Sequence, residues 1–408
     1  MARRREPLIP RHFYSNLESL RGVAALMVAL SHSLLAVQVD GIAHIWSTPL
    51  SEVAGVQSAI TRALLIPFNG GAAVTVFFVL SGFVLGLSLD RDRQTLGKTA
   101  GFYLKRLFRL YPAHIVVLLA IVASLLLFHR FEAFEAASGW YLEWYRVPPN
   151  LGMVLDNLAL ISVYLNHIAW SLQVELAGSL FLPFAYFVCR RSGLWLNALV
   201  LAVLVALAWR STHLLLLFLY CFYAGLMLPQ LVARLERQLG GASGQVMLGL
   251  GIFLLCAGYT LAGPQSLDGR ILVETLGSML IIAHLVHEEN RGSWVSRFFS
   301  RPLIRSLGRY SYSFYLLHYI LLYWLAYSVF HLVPAETLLA VPLLFGIGFM
   351  LVTVPLTFWL AGVVYRNVEV PMINLGKRLV GDPLRRKRQG ADVEGPAQEF
   401  WGQSKGTE

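Results

Sequence analysis

Charge is the scarcest feature of this 408-residue chain. Asp, Glu, Lys and Arg make up 14% of it, against roughly 25% in an average soluble domain. Too little polar surface is available to face water all round, which excludes an ordinary soluble globule. Cysteine is nearly absent as well. Cys189, Cys221 and Cys256 are odd in number, widely spaced and without a histidine at metal-ligand spacing. A disulfide framework and a zinc site are therefore not expected; the three read as small buried hydrophobes, and no metal is expected. No internal repeat is apparent, which argues against a two-fold transporter. The net charge of +10 forms no basic stripe on a soluble face, so nucleic acid is not an expected partner.

Hydrophobic residues, by contrast, make up 57% of the chain, and the mean hydropathy is +0.61. The expected solvent is a lipid bilayer. Spans need about 20 mostly apolar residues, and about ten stretches qualify: Leu17–Val39, Gly71–Leu89, Leu107–Phe128, Trp170–Val188, Leu194–Ala208, His213–Leu231, Val246–Ala262, Ile271–Val286, Tyr312–Phe330 and Leu338–Val364. The expected fold class is all-α, a polytopic integral membrane protein. Leu151–Leu165, interrupted by Asp156 and Asn157, reads as an interfacial or re-entrant helix. The first run resembles a signal peptide but continues past 20 residues and contains Arg21 and His32, so it reads as a retained span. With the N-terminus in the cytoplasm, all but five of the 33 basic residues fall inside; Arg62, Arg130, Arg146, Arg210 and Arg270 are outside. Both termini are thus expected to be cytoplasmic. Residues 1–16 read as a basic N-terminus, 17–380 as one membrane domain, and 381–408 as a polar, basic, disordered tail.

Ionisable groups inside spans are costly unless paired or hydrated, so each is a functional candidate. Arg21 and His32 are eleven residues apart on nearly one face of the first helix, about 16 Å apart in height. Glu175 falls about 8 Å inside the outer start of the span that opens at Trp170. At that depth a carboxylate beside His32 would fix its tautomer and support its charge, so a His32–Glu175 pair is expected. Arg21 at the inner mouth also fits a snorkelling anchor. Ser81 and Gly82 either permit close helix packing or, for Ser81, offer a hydrogen bond to a cavity. Arg106 and Arg109 share a helix face that suits phosphates, and positive-inside anchoring explains them nearly as well. His114, Glu274, His284, His287 and His318 are further polar intrusions. His318, mid-span among hydroxyls, is the one most expected to line the same cavity.

Six motifs occur in order along the chain. They are Leu20-Arg21-Gly22-Val23-Ala24 through His32, Phe77-Phe78-Val79-Leu80-Ser81-Gly82-Phe83, and Arg106-x-x-Arg109 followed by Tyr111-Pro112. Then come Trp170-Ser171-Leu172-x-x-Glu175, Ser311-Tyr312-Ser313-x-Tyr315-Leu316-x-His318, and Val368-Glu369-x-Pro371. Together they resemble the acyltransferase 3 family of membrane O-acyltransferases over roughly residues 14 to 380. Gln173 and Leu176–Ala177 depart from the more polar or aromatic residues many relatives place around the glutamate. No C-terminal esterase-type domain, present in some members, is read here.

The resemblance implies acyl transfer from cytosolic acyl-CoA, acetyl-CoA foremost, to a hydroxyl of a cell-surface or exported carbohydrate or glycolipid, in a bacterial inner membrane. It marks His32, Glu175 and Arg21 as catalytic, with Arg106 and Arg109 expected at the donor. Ser81, Trp170, Ser171, Tyr312 and His318 are expected at the substrates. The rival reading is a transporter or flippase of a glycolipid or glycan, using the same polar groups as a path.

Overall fold

A computed structural model describes residues 14–90, 96–261, 267–289 and 291–381. The basic extension before Tyr14 and the tail after Gly381, expected as a cytoplasmic arm and a disordered segment, lie outside the described residues. Among those described the chain is all-helical, with no strand beyond two isolated bridges, Val37 to Ala137 and Val39 to Ile42.

Eleven helices build the bundle: α1 (Ser15–Ser33), α2 (Gly70–Asp90), α3 (Leu96–Phe128), α4 (Trp170–Arg191), α5 (Leu194–Trp209), α6 (Leu214–Leu235), α7 (Gly241–Leu261), α8 (Leu267–His287), α9 (Pro302–Leu332), α10 (Pro342–Val364) and α11 (Val370–Val380). Shorter helical turns join some of them. Every one of the ten predicted spans corresponds to one of α1 to α10. By length and apolarity alone, however, seven helical runs are sufficient to cross a membrane: Gly70–Leu89, Gly97–Phe128, His167–Arg191, Leu214–Leu235, Gly269–His287, Pro302–Leu332 and Pro342–Val380. Leu194–Trp209 and Gly241–Ala257 are apolar but shorter. α1 falls short for another reason. Glu18, Arg21 and His32 dilute its hydropathy, and half its surface turns inward to protein rather than lipid. The chain is a multi-pass membrane protein. The segment predicted as interfacial forms a helix over Leu151–Leu158, capped by the Asn150 side chain, which accepts from the Met153 amide at 2.9 Å. Eight residues cannot cross a bilayer.

The central element is α9. Ten consecutive residues, Ser311–Ile320, are buried on every side, which is what a helix enclosed by others requires. α1, α3 and α10 pack around it. The α1–α9 crossing is closed by two glycines: a Cβ on Gly22 would lie 2.4 Å from the Gly308 amide nitrogen, and one on Gly308 would lie 2.4 Å from the Glu18 carbonyl. Backbone contact of this kind needs small residues. It sets the height and phase of α1, so Arg21 and His32 both meet the polar face of α9. Gly82 does the same for α2 against α6, where its Cβ would sit 2.1 Å from the Phe222 carbonyl. The Ser81-Gly82 pair therefore divides its work: Gly82 packs, and Ser81 faces a cavity.

α10 passes into α11 through a π-helical turn, Tyr365–Glu369. The buried Glu369 side chain accepts from the Ser313 amide at 3.1 Å and from the Ser313 hydroxyl. The last sequence motif is thereby tied to the hydroxyl-rich one on α9, and α11 is held along α3, where Gly376 rests on Phe108.

Candidate active site

Two sites are stacked along α1, one at each of its polar residues. Around Arg21 lies a cavity of about 580 Å³ whose lining includes Arg21, Lys98, Lys105, Arg106, Arg109 and Lys377 against one carboxylate, Glu175. Six basic groups facing one acid leave a strong positive surplus. Arg106 and Glu175 form an ion pair at 2.7 Å, and Arg106 Nε also donates to Ser179 Oγ at 3.0 Å. Ser179 lies one turn along α4 from Glu175 and donates to its carbonyl at 2.7 Å. Both of Arg106's bonds thus go to α4. Arg106 locks α3 to α4, while Arg109, one turn away, lines the open part of the cavity.

Adjoining this cavity is a small limb of about 40 Å³ lined by Arg21, Ser81, Ser171, Glu175, Tyr312 and Tyr315 among others. Arg21, Ser81 and Glu175 border both parts. Tyr312 donates to the Leu110 carbonyl at 2.6 Å. Tyr315 donates to the Ile168 carbonyl at 3.1 Å and lies 3.0 Å from Ser171 Oγ.

One turn beyond Tyr315 is the second site. His318 Nδ1 lies 2.6 Å from the Tyr315 carbonyl, and His318 Nε2 lies 3.0 Å from His32 Nδ1. A carbonyl only accepts, so His318 carries its proton on Nδ1 and presents Nε2 as an acceptor. His32 therefore donates its own Nδ1–H and retains a lone pair on Nε2. The imidazole is oriented by a neutral imidazole rather than by a carboxylate.

The expected His32–Glu175 pair is not formed. Glu175 bonds to Arg106, and His32 to His318. The helical phase was right and the depth was not. The chain before α4 dips into the bundle as a tight turn, His167–Ala169, and His167 comes near His32. Glu175, eight residues later, lies about 12 Å farther along, at the level of Arg21. Counting from Trp170 as though it lay at the membrane surface placed Glu175 too far out.

The other predicted residues divide between the two sites. Ser81, Ser171 and Tyr312 line the small limb, and His318 is the partner of His32. Trp170 borders neither cavity; it packs on Phe78 and Phe218 with ring centroids 6.2 and 5.5 Å away. Unpredicted are Ser179, which completes the Arg106 lock, and Trp140, whose ring lies 5.0 Å from that of His32. Trp140 is brought there because the chain leaving α1 is bonded to residues 136–139: Gln38 donates to Ala136, Ser138 to Ala36, and Gly139 to Ala43. Among the described residues, no cluster of three or more His, Cys, Asp or Glu side chains could hold a metal.

A helical membrane bundle with a charged cavity at one end and an oriented imidazole at the other defines a multi-pass membrane protein with an enzyme's interior. The model of the acyltransferase 3 family, described as an acyltransferase domain, matches residues 14–362. The chain belongs to that family. It is also similar to Acyltransferase MdmB of Streptomyces mycarofaciens, 33% identical over 139 residues, which cover 33% of this chain and 33% of that one. No solved structure matches.

Proposed function

We propose that the protein transfers an acyl group, acetyl foremost, from acyl-CoA to a hydroxyl of a surface or exported carbohydrate or glycolipid, in a bacterial inner membrane with the basic end facing the cytosol. The observation that carries this reading is the stacking along α1 of the six basic groups of the wide cavity, the small limb lined by Ser171 and Tyr315, and, one turn beyond Tyr315, the His32–His318 pair.

Arg109, Lys105 and Lys377 suit a polyanionic nucleotide, and Arg21 stands where the cavity begins to narrow. Carrying phosphates into an apolar interior would cost far more than those contacts return, so only the pantetheine and acyl portion passes Arg21. The limb, about 40 Å³, holds on the order of a few water molecules. Admission of the arm therefore requires Tyr315 and Ser171 to part. At the far side, His32 Nε2 takes the proton of the acceptor hydroxyl as its oxygen attacks the thioester carbonyl. The C–O bond forms, the C–S bond breaks, and the imidazolium returns the proton to the departing sulfur. His318 holds the ring through Nδ1 throughout.

His32→Ala should lower acylation by about 10²-fold or more while the protein remains at wild-type abundance in the membrane. Mass spectrometry of surface glycans, with and without the gene and with this variant, reads both the acyl increment and the acceptor. Undiminished acylation in the variant would remove His32 from the reaction.

A further inference from the structure

The closing motif, Val368-Glu369-x-Pro371, takes no part in the reaction above, yet the helix it opens forms one wall of the wide cavity. Ile373, Lys377 and Val380, four and three residues apart, share one face of α11 and line that cavity. Arg21 comes from α1 and the other four basic groups from α3, so Lys377 is the one that α11 contributes. By itself α11 is poorly equipped to hold that position. It has eleven residues, of which only Gly376 is buried, and isolated helices shorter than about 12–15 residues are marginal in water. Its contacts with α3 at Gly376–Phe108 and Val380–Gly101 are apolar; a Cβ on Gly101 would meet Val380 Cγ1 at 2.6 Å. Apolar contact is non-directional and does not fix the rotation of a helix about its axis.

The rotation is set at the root. The turn that joins α10 to α11 is π-helical, Tyr365–Glu369, with more residues per turn than an α-helix, and so it changes the phase of everything after it. Glu369 ends that turn, 3% exposed, and its Oε1 accepts from both the amide and the hydroxyl of Ser313 on α9. Two donors on one carboxylate oxygen, out of water, make a directional anchor. We infer that Glu369 is a positioning residue for the donor: it pins the π-turn to α9 and thereby keeps Lys377 turned into the cavity. It touches neither the donor nor the reacting atoms; it completes the basic wall that meets them. The inference rests on the reading of the wide cavity as the donor's site, and adds what assembles that site. A glutamate that served the fold alone would change stability and leave donor affinity unaltered in protein that still folds.

The test measures, by calorimetry, the binding of desulfo-coenzyme A to the full chain in lipid nanodiscs; this probe has the donor's phosphates and no thiol. Glu369→Leu removes the acceptor and should raise the dissociation constant about tenfold, the worth of one charge-assisted bond. Glu369→Gln keeps an oxygen for Ser313 and should stay within about twofold of wild type. A second arm replaces the anchor with a bridge. A Cβ on Gly101 would lie 3.8 Å from Val380 Cβ, a separation that a disulfide spans. With Gly101→Cys and Val380→Cys added to Glu369→Leu, oxidation fixes α11 from its other end and should recover most of the tenfold loss; reduction should restore the loss. Thermal unfolding of each variant shows whether it folds. Ser313→Ala removes one hydroxyl and keeps the amide bond, so it serves if Glu369→Leu does not fold, with an expected rise of about threefold. Wild-type affinity in Glu369→Leu, or in Ser313→Ala where that is the variant that folds, overturns the role of Glu369, as does no recovery on oxidation. Loss of binding on oxidation of the bridge with Glu369 in place would make α11 a moving lid and overturns it too. Failure of the anchor is separable from failure of the donor reading: a wild type that does not bind desulfo-coenzyme A sinks the donor reading, and one that binds it no better than Glu369→Leu sinks the anchor alone.

Discussion

The two ends of α1 solve the problem of a polar group inside a membrane in opposite ways. The cavity at Arg21 is lined by formal charge, six basic side chains and one acid, and is held by an ion pair between helices. Around His32 the protein gathers neutral rings: two imidazoles bonded to one another, with Trp140 and Tyr319 against them. Charge tolerates burial only when paired or hydrated. The charged end is therefore the wide one, and its strongest charges are tied down by Arg106 and Glu175. A base, in contrast, must keep a free lone pair, which a neighbouring cation or a wet cavity would compromise. The comparison teaches that, on the proposed function, donor binding and proton transfer would lie about three helical turns of α1 apart and would act through different physics.

The sharpest way to break the comparison is at His318. If the outer end works by orientation, His318→Phe keeps the ring volume and removes the acceptor that fixes His32. The turnover number should fall by about 10²-fold, the lower part of the range for a positioned base, with the donor KM little changed. Steady-state kinetics on purified protein would read the split. A fall in donor affinity instead would place His318 in the donor path and merge the two sites.

The next largest effect belongs to the charged end, and it appears in stability before activity. Glu175→Ala leaves the Arg106 guanidinium, 7% exposed, without its counter-charge, and should cost about 3–5 kcal/mol. The double change Arg106→Met with Glu175→Leu should recover most of that loss, because a well-packed apolar pair can replace a buried ion pair. Thermal unfolding in detergent follows both. If the double variant folds and also acylates at the wild-type rate, Glu175 has no chemical role and serves only to join α3 to α4. If it folds and is inactive, Glu175 acts on the substrate as well.

What could be read from the sequence divides along the same line. Spans, their order and the residues that lie on one helical face follow from hydropathy and the 3.6-residue repeat, so Arg21 and His32 on one face were within reach, whereas Ser81, Ser171 and Tyr312 at the substrates came only with the family resemblance. Axial offset between helices was not. Nothing local to Trp170-Ser171-Leu172 reports that the turn before it lies inside the bundle, and that offset moved Glu175 from His32 to Arg106. Nor does the sequence mark Trp140 or His167. They sit in short turns without periodicity, and reach His32 through backbone bonds between residues 36–43 and 136–139 that no pattern announces. His318 was legible as a polar intrusion, while its bond to His32 depended on the Gly22–Gly308 contact that sets the two helices in register.

The smallest effect concerns Arg109, and it asks how far the charged end works by field rather than by fixed contact. Arg106 is committed to Glu175 and Ser179, so Arg109 is the arginine of that motif left to face the open cavity. Removing one charge-assisted bond to a phosphate is worth about 1.5–3 kcal/mol. Lys98, Lys105 and Lys377 line the same cavity and would retain part of the attraction, so Arg109→Ala should raise the donor KM only about tenfold. Its diagnostic property is salt. Attraction between exposed charges weakens as the screening length falls from about 10 Å at 0.1 M to 3 Å at 1 M. The wild-type donor KM should therefore rise with salt, and rise less steeply in Arg109→Ala, while the turnover number stays flat in both. A salt-independent donor KM would mean that the basic cavity orients the protein in its membrane and does not bind the donor's phosphates.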